Sequence, residues 1–151
     1  MERTLIILKP DAVARRLTGE ILTRFEKKGL KLIAAKFMTI SKELAEKHYD
    51  VHKGKPFFES VVGYLSSGPS MVIVLESANV ISMTRKMMGA TFGYTAEPGT
   101  IRGDFGCSRG YNLVHGSDSP ESAAYEIPLY FKPEELVEWE FSDSGWLYGR
   151  D

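Results

Sequence analysis

Asn112-Leu113-Val114-His115-Gly116-Ser117-Asp118, followed at once by Ser119-Pro120-Glu121, is the stretch from which the whole chain is best read. Apolar residues carry a short strand up to one histidine, small polar residues make a turn, and Ser119-Pro120 opens a helix. A histidine at the end of a rigid strand, beside a helix N-terminus that favours anions, suits an imidazole used as a nucleophile. The competing reading makes His115 an ordinary strand-end histidine, hydrogen-bonded in the core.

Strand-like and helical segments alternate outward from this point. Arg3 to Leu8 reads as a buried strand ended by Lys9-Pro10-Asp11. Ile21, Leu22 and Phe25 keep helical spacing up to Gly29, a natural residue just past a helix C-terminus. Leu32 to Ile40 is a second strand. Ser41 can cap a helix with Leu44, His48 and Val51 on one side, and Pro56 can open another through Leu65. Ser70 to Glu76 is a third strand, Val80 to Met88 a helix stopped by Gly89, and Tyr111 to His115 the fourth strand. The helix opened by Ser119-Pro120 runs to about Tyr130, and a polar tail begins at Lys132. Residues 90 to 108 form a long irregular stretch rich in Gly and Thr, and such loops in compact domains are usually functional. The order predicts one α+β domain over residues 1–151. Its plan is ferredoxin-like, βαββαβ, a four-stranded antiparallel sheet with helices packed on one face.

Composition narrows the function classes. A net charge of −1 gives no electrostatic case for a nucleic-acid partner. Apolar runs such as Met71 to Leu75 are far too short for a membrane span. The N-terminus passes from Glu2-Arg3 into Leu5-Ile6-Ile7-Leu8 with no signal-peptide pattern, and Cys107 is alone. A cytoplasmic protein is the expectation.

Residues suited to phosphate chemistry surround the histidine in sequence. Glu126, two turns into the following helix, can turn back to fix the imidazole tautomer and leave the other nitrogen free to attack. Taken alone it reads equally well as an exposed helix glutamate. Lys9, Arg85 and Arg102 stand where loops can converge on a polyanion, and phosphoryl transfer depends on such cations to position phosphates and absorb charge. Singly, each also reads as a solvated surface charge. Phe57 or Phe58 could give a base a stacking face, or simply fill the core. His48 and His52 are spaced to chelate a metal on one helix face, but no third ligand accompanies them. The G-x-x-x-x-G-K-[ST] and G-x-G-x-x-G phosphate loops are both missing, which argues against a P-loop enzyme and a Rossmann unit.

Lys9-Pro10-Asp11, Pro56-Phe57-Phe58, Pro98 to Phe105 and Asn112 to Asp118 occur in that order, and with them the chain resembles the nucleoside diphosphate kinases from Glu2 to about Tyr148. The resemblance implies ping-pong transfer of a terminal phosphoryl group between nucleoside triphosphates and diphosphates through a phosphohistidine. His115 matches the family's nucleophile, Glu126 its carboxylate partner, Tyr49 a tyrosine close to the imidazole, and Ser117 the serine that supports Glu126. Lys9, Arg85, Thr91, Arg102 and Asn112 match contacts to phosphates or ribose hydroxyls, and Phe57 the base-stacking aromatic. Mg2+ is implied on the nucleotide phosphates rather than in a protein cage. A homo-oligomer, hexamer or tetramer, is implied too. Four positions depart from the pattern. Arg109 replaces a small aliphatic residue facing the base, Tyr111 an arginine, and Ala12 and Arg16 glycines. Arg109 is expected to stack on the base or to swing into solvent.

Overall fold

The computed structural model describes residues 1–149. Its strands are β1 (Glu2–Leu8), β2 (Lys31–Thr39), β3 (Pro69–Ser77) and β4 (Val114–Gly116). The helices are α1 (Pro10–Ala14), α2 (Thr18–Lys27), α3 (Lys42–His48), α4 (Phe58–Leu65), α5 (Val80–Met88), α6 (Ile101–Phe105), α7 (Pro120–Tyr130) and α8 (Ser144–Tyr148). The strands make one antiparallel sheet in the order β2-β3-β1-β4, as a split βαβ plan requires. β1 is central, and its Ile7 stands opposite Val72 of β3 on one side and His115 of β4 on the other.

Leu5–Leu8 and Val72–Leu75 show no polar alternation, the pattern of strands buried on both faces. Ile6, Leu8, Ile73 and Leu75 pack into one core with Ile21 and Phe25 of α2 and Val80 and Met88 of α5. Leu5, Ile7, Val72 and Val74 pack into a second with Ala45 of α3, Val62 of α4 and Tyr130 of α7. Helices therefore cover both faces of the sheet, not the one face expected from the element order. No helix among the described residues is long and apolar enough to cross a membrane.

Local chemistry moves several boundaries. Pro10 does more than end β1, since it opens α1. Ser41 caps α3 through a bond from the Leu44 N–H to its Oγ (3.1 Å), but the helix stops at His48 and leaves Val51 exposed. Phe58 rather than Pro56 begins α4. The stretch from 90 to 108 is not irregular throughout, because Thr100 accepts from the Gly103 N–H (3.0 Å) and caps α6. Only glycine fits at 103, where a Cβ would lie 1.9 Å from the Glu97 carbonyl oxygen.

Arg16 adopts φ +59°, which explains the glycine found at this position in the family pattern. A left-handed L-residue costs roughly 1–2 kcal/mol, against which the extra unfolded freedom of glycine counts. Arg16→Gly is expected to stabilise the fold by about 0.5 kcal/mol, read as a higher urea midpoint at unchanged slope. A lower midpoint would show that the Arg16 side chain contributes more than its backbone costs.

Candidate active site

A cleft of about 520 Å³ opens beside β4 between α3, α4, α5 and α7. Nine of the ten sequence-predicted residues line it: Lys9, Tyr49, Phe57, Arg85, Thr91, Arg102, Asn112, His115 and Glu126. Ser117, the tenth, is fully buried behind His115. A smaller hollow of about 340 Å³ under the C-terminal segment, lined by Met1, Lys31 and Tyr148 among others, contains none of them.

His115 is carried in by β4, whose pairing with β1 fixes which way the ring leaves the sheet. Its Nε2 meets Glu126 Oε1 at 2.8 Å, and Ser117 Oγ donates to the same oxygen at 2.8 Å while accepting from the Leu5 N–H. Although 18% of the His115 side chain reaches solvent, burial and the charges of Lys9, Arg102 and Arg85 push its pKa down to about 3. The imidazole is therefore neutral at pH 7, and its bond to Glu126 is an N–H to carboxylate bond rather than an ion pair. Burial pushes the Glu126 carboxyl upward, and the Ser117 hydroxyl works against that shift. With Nε2 carrying the proton, Nδ1 keeps its lone pair, the state a nucleophile needs.

His48 stacks edge-on against His115 with ring centroids 4.5 Å apart. Its Nδ1 pairs with the Tyr130 hydroxyl (3.0 Å), and burial and His115 hold it neutral, its pKa near 3. Tyr49 packs edge-on against His48 (4.8 Å), and burial pushes its hydroxyl pKa up to about 12. His48 and His52 do not converge as a chelating pair. His52 faces Phe57 and Lys55, while the donor atoms of His48, His115 and Glu126 lie within 4.8 Å of one another.

The cations differ in kind. Lys9 Nζ donates to Asn112 Oδ1 (2.9 Å) and is buried, and burial together with Arg102 lowers its pKa to about 7, against the pull of Asp11. Asn112 Nδ2 in turn donates to the Thr91 carbonyl (3.2 Å). Arg85 is exposed and makes one longer bond to the Gly116 carbonyl (3.3 Å). Arg102 is 5% exposed and donates to the carbonyls of Asn112 (3.1 Å), Gly89 (3.0 Å) and Val114 (2.6 Å). That bracing duty was not foreseen from sequence. It leaves two of the five guanidinium N–H groups for the cleft.

Sequence reasoning also missed the shape of the chain before the histidine. Leu113 has φ +71°, and the Val114 N–H reaches back to the Asn112 carbonyl (2.7 Å), which closes a γ-turn of the rare strained form. Strain of this kind costs on the order of 1–3 kcal/mol and persists only where surroundings over-determine it. It also shortens β4, which starts at Val114 rather than Tyr111. The Leu113 N–H is held by Asp11 Oδ2 (3.2 Å), the Leu113 carbonyl by the Lys9 N–H (2.8 Å), and Asp11 accepts from the Tyr64 hydroxyl. A positive φ on leucine leaves no trace in sequence. Arg109 is exposed, and its guanidinium lies 5.0 Å over the Phe92 ring, outside the cleft lining. Tyr111 packs edge-on against Tyr64 (5.1 Å).

Known proteins share both the sequence and this geometry. A family model described as nucleoside diphosphate kinase matches residues 2–136. The nucleoside diphosphate kinase of Carboxydothermus hydrogenoformans is 56% identical over 148 residues, covering 98% of this chain and 99% of its own. That of Thermococcus kodakarensis is 58% identical over 151 residues, covering 98% and 86%. Among solved structures, the halophilic enzyme from Halobacterium salinarum in complex with CDP aligns with a TM-score of 0.95 at 48% identity, covering 97% of this chain and 98% of that one. A transition-state mimic of the Borrelia burgdorferi enzyme, with bound vanadate and ADP, aligns at 0.90 and 37%, covering 95% of each. The chain belongs to the nucleoside diphosphate kinase family.

Proposed function

We propose that the enzyme moves the terminal phosphoryl group of a nucleoside triphosphate, typically ATP, onto His115 and from there to a nucleoside diphosphate. The observation that carries this reading is the neutral imidazole of His115, bonded at Nε2 to Glu126 (2.8 Å) and free at Nδ1 within a cleft of cations. In the first half-reaction the Nδ1 lone pair forms a bond to the terminal phosphorus. The bond from that phosphorus to its bridging oxygen breaks, and the nucleoside diphosphate leaves with the electron pair. Glu126 accepts from Nε2–H throughout and stabilises the charge that the ring acquires. A second diphosphate attacks the phosphohistidine, and the same steps run in reverse.

Lys9, Arg85 and the free N–H groups of Arg102 meet the negative charge on the phosphates, which is where phosphoryl transfer is accelerated. Asn112 and Thr91 serve the ribose and phosphate oxygens. Phe57, 45% exposed at the cleft mouth, gives the base a face to stack on. Stacking tolerates every base, and the family resemblance implies a reaction that maintains both the ribo- and the deoxyribonucleoside triphosphate pools.

The cleft's carboxylates are Asp118 and Glu121, both exposed, and Glu126, which is engaged with His115 and Ser117. This donor set fits an Mg2+ ion that would arrive on the phosphates and keep most of its water, with Asp118 and Glu121 the carboxylates left to face it. When bound, the ion would neutralise phosphate charge. We also read the protein as a cytoplasmic homo-oligomer. Its one cysteine suits a reducing compartment, and Trp146 (92% exposed), Trp139 (43%) and Val137 (58%) suit contact with other subunits.

ATP labelled on its terminal phosphate, mixed with enzyme and Mg2+ without any diphosphate, tests the covalent route. An acid-labile, alkali-stable label on the protein that moves to unlabelled GDP is the expected result. Failure of any label to form, although ATP binds, would overturn it.

Lys9 supplies a second test. A pKa near 7 leaves it part neutral in the empty cleft, and a polyanion favours the charged form. Nucleotide binding should therefore take up on the order of half a proton at pH 7, and ADP affinity should weaken up to about tenfold per pH unit above that. Calorimetry in buffers of different ionisation enthalpy measures the uptake. An identical pH profile in Lys9→Met would remove Lys9 as the cause.

A further inference from the structure

We propose that Asp11 is a positioning residue: its carboxylate, steered by the Tyr64 hydroxyl, holds the strained turn at Leu113 that presents Asn112, Lys9 and His115 to the nucleotide. Its place in the chain makes this use unexpected. Asp11 is the second residue of α1, where a carboxylate ordinarily serves the unpaired N–H groups of its own helix. Here it turns away from the helix and takes the N–H of a residue 102 positions later.

The turn it grips joins the catalytic groups directly. Asn112, on one side of Leu113, receives Lys9 Nζ at 2.9 Å, and His115 follows two residues after it on the other side. The Lys9 N–H bonds to the Leu113 carbonyl (2.8 Å), so residues 9 and 11 hold both polar groups of one strained residue. Arg102 clips the carbonyls on either side of it, Asn112 (3.1 Å) and Val114 (2.6 Å). Leucine leaves φ +71° readily once a clamp is lost, because the region is sterically unfavourable for it. Release of the Leu113 N–H would rotate Asn112 and shift the origin of β4, and with them Lys9 and the imidazole. Tyr64 is the second support. Its hydroxyl orients Asp11, its ring lies 5.0 Å beneath Lys9 Nζ, and Tyr111 braces the ring from the side (5.1 Å).

The test compares kcat for transfer from ATP to GDP, ADP affinity and melting temperature in Asp11→Ala, Asp11→Asn and Tyr64→Phe. This inference builds on the reading of His115 as nucleophile, so labelling of the wild-type histidine is followed in parallel. Misplacing a reacting group by an ångström can cost about a hundredfold, so Asp11→Ala is expected to lose about 10- to 100-fold in kcat, with a smaller fall in ADP affinity because Lys9 and Asn112 shift with the turn. Asp11→Asn keeps an oxygen for the Leu113 N–H and can donate to the Tyr64 oxygen, so it is expected to recover to within about fivefold of wild type. Tyr64→Phe, which keeps the ring, is expected to lose about two- to fivefold, and it decides the matter should Asp11→Ala fail to fold. Wild-type kcat in Asp11→Ala or in Tyr64→Phe overturns the proposal, even if melting temperature falls. Equal losses in the Ala and Asn variants overturn it as well, since they would assign the effect to charge. If kcat responds as expected but no label forms on His115, the clamp stands and the covalent route fails. If the label forms and kcat ignores Asp11, the reverse holds.

Discussion

His115→Ala should abolish phosphoryl transfer, by at least about a thousandfold, and leave the fold in place. Loss of a covalent nucleophile removes the whole two-step route, and the cations that remain can only bind nucleotide. The structural cost is confined to one neighbourhood. His115 is the middle residue of the three-residue β4 and shows 18% of its side chain to solvent, so the substitution opens no deep cavity. Glu126 loses one of its two partners and keeps Ser117. An unpaired buried acceptor costs roughly 1–3 kcal/mol, which bounds the expected fall in stability. Steady-state rates with ATP and GDP, read beside circular dichroism and a urea titration, check both halves. Retained activity would refute the nucleophile assignment, while a collapsed fold would refute the claim that the site is carried by an independent scaffold.

Arg102→Lys should be the most damaging conservative change in the cleft. The guanidinium ties Gly89, at the end of α5, to the Asn112 and Val114 carbonyls on either side of Leu113. A lysine cannot reproduce a planar fork, so two of three carbonyls would lose their donor. The Asn112 carbonyl keeps the Val114 N–H, so at roughly 1–3 kcal/mol for a buried carbonyl left unpaired a loss of about 2–4 kcal/mol is expected. Arg85→Lys gives the contrast. Arg85 is exposed and holds a single carbonyl at 3.3 Å, so its replacement should cost under about 1 kcal/mol and act chiefly on nucleotide affinity. Urea midpoints for the two variants measure the difference. Equal stability would mean that the Arg102 bonds contribute nothing beyond those of a surface arginine.

His115, Glu126 and the cations Lys9, Arg85 and Arg102 can be read from residue types, whereas Tyr49, Thr91, Asn112, Ser117 and the choice of Phe57 rest on the family resemblance. A histidine at the end of a strand, with a glutamate two turns into the next helix, allows the two side chains to meet, although Glu126 alone reads equally well as an exposed residue. The 2.8 Å bond from His115 to Glu126 is what that spacing produces. Element order does not reveal that helices cover both faces, whereas Leu5 to Leu8 lacks the polar alternation of a half-exposed strand. What stayed hidden depends on contacts between distant segments. The Asp11 carboxylate acts on a backbone amide 102 residues away, and Arg102 acts on carbonyls, which every residue possesses. Backbone partners carry no sequence signature. Arg16 and Leu113 show the same gap, since a positive φ on an ordinary side chain is visible only in coordinates.

β4 is three residues long and has a single neighbour in the sheet, yet that neighbour is the strand enclosed by both cores. Amides of Leu5, Ile6 and Ile7 should exchange with deuterium only through global unfolding, the slowest opening available to the molecule. Through the Ile7–His115 register the backbone that carries the imidazole is anchored to that strand. Adjustment to an arriving nucleotide is then expected from the exposed cleft side chains, Phe57 and Arg85, rather than from the strand.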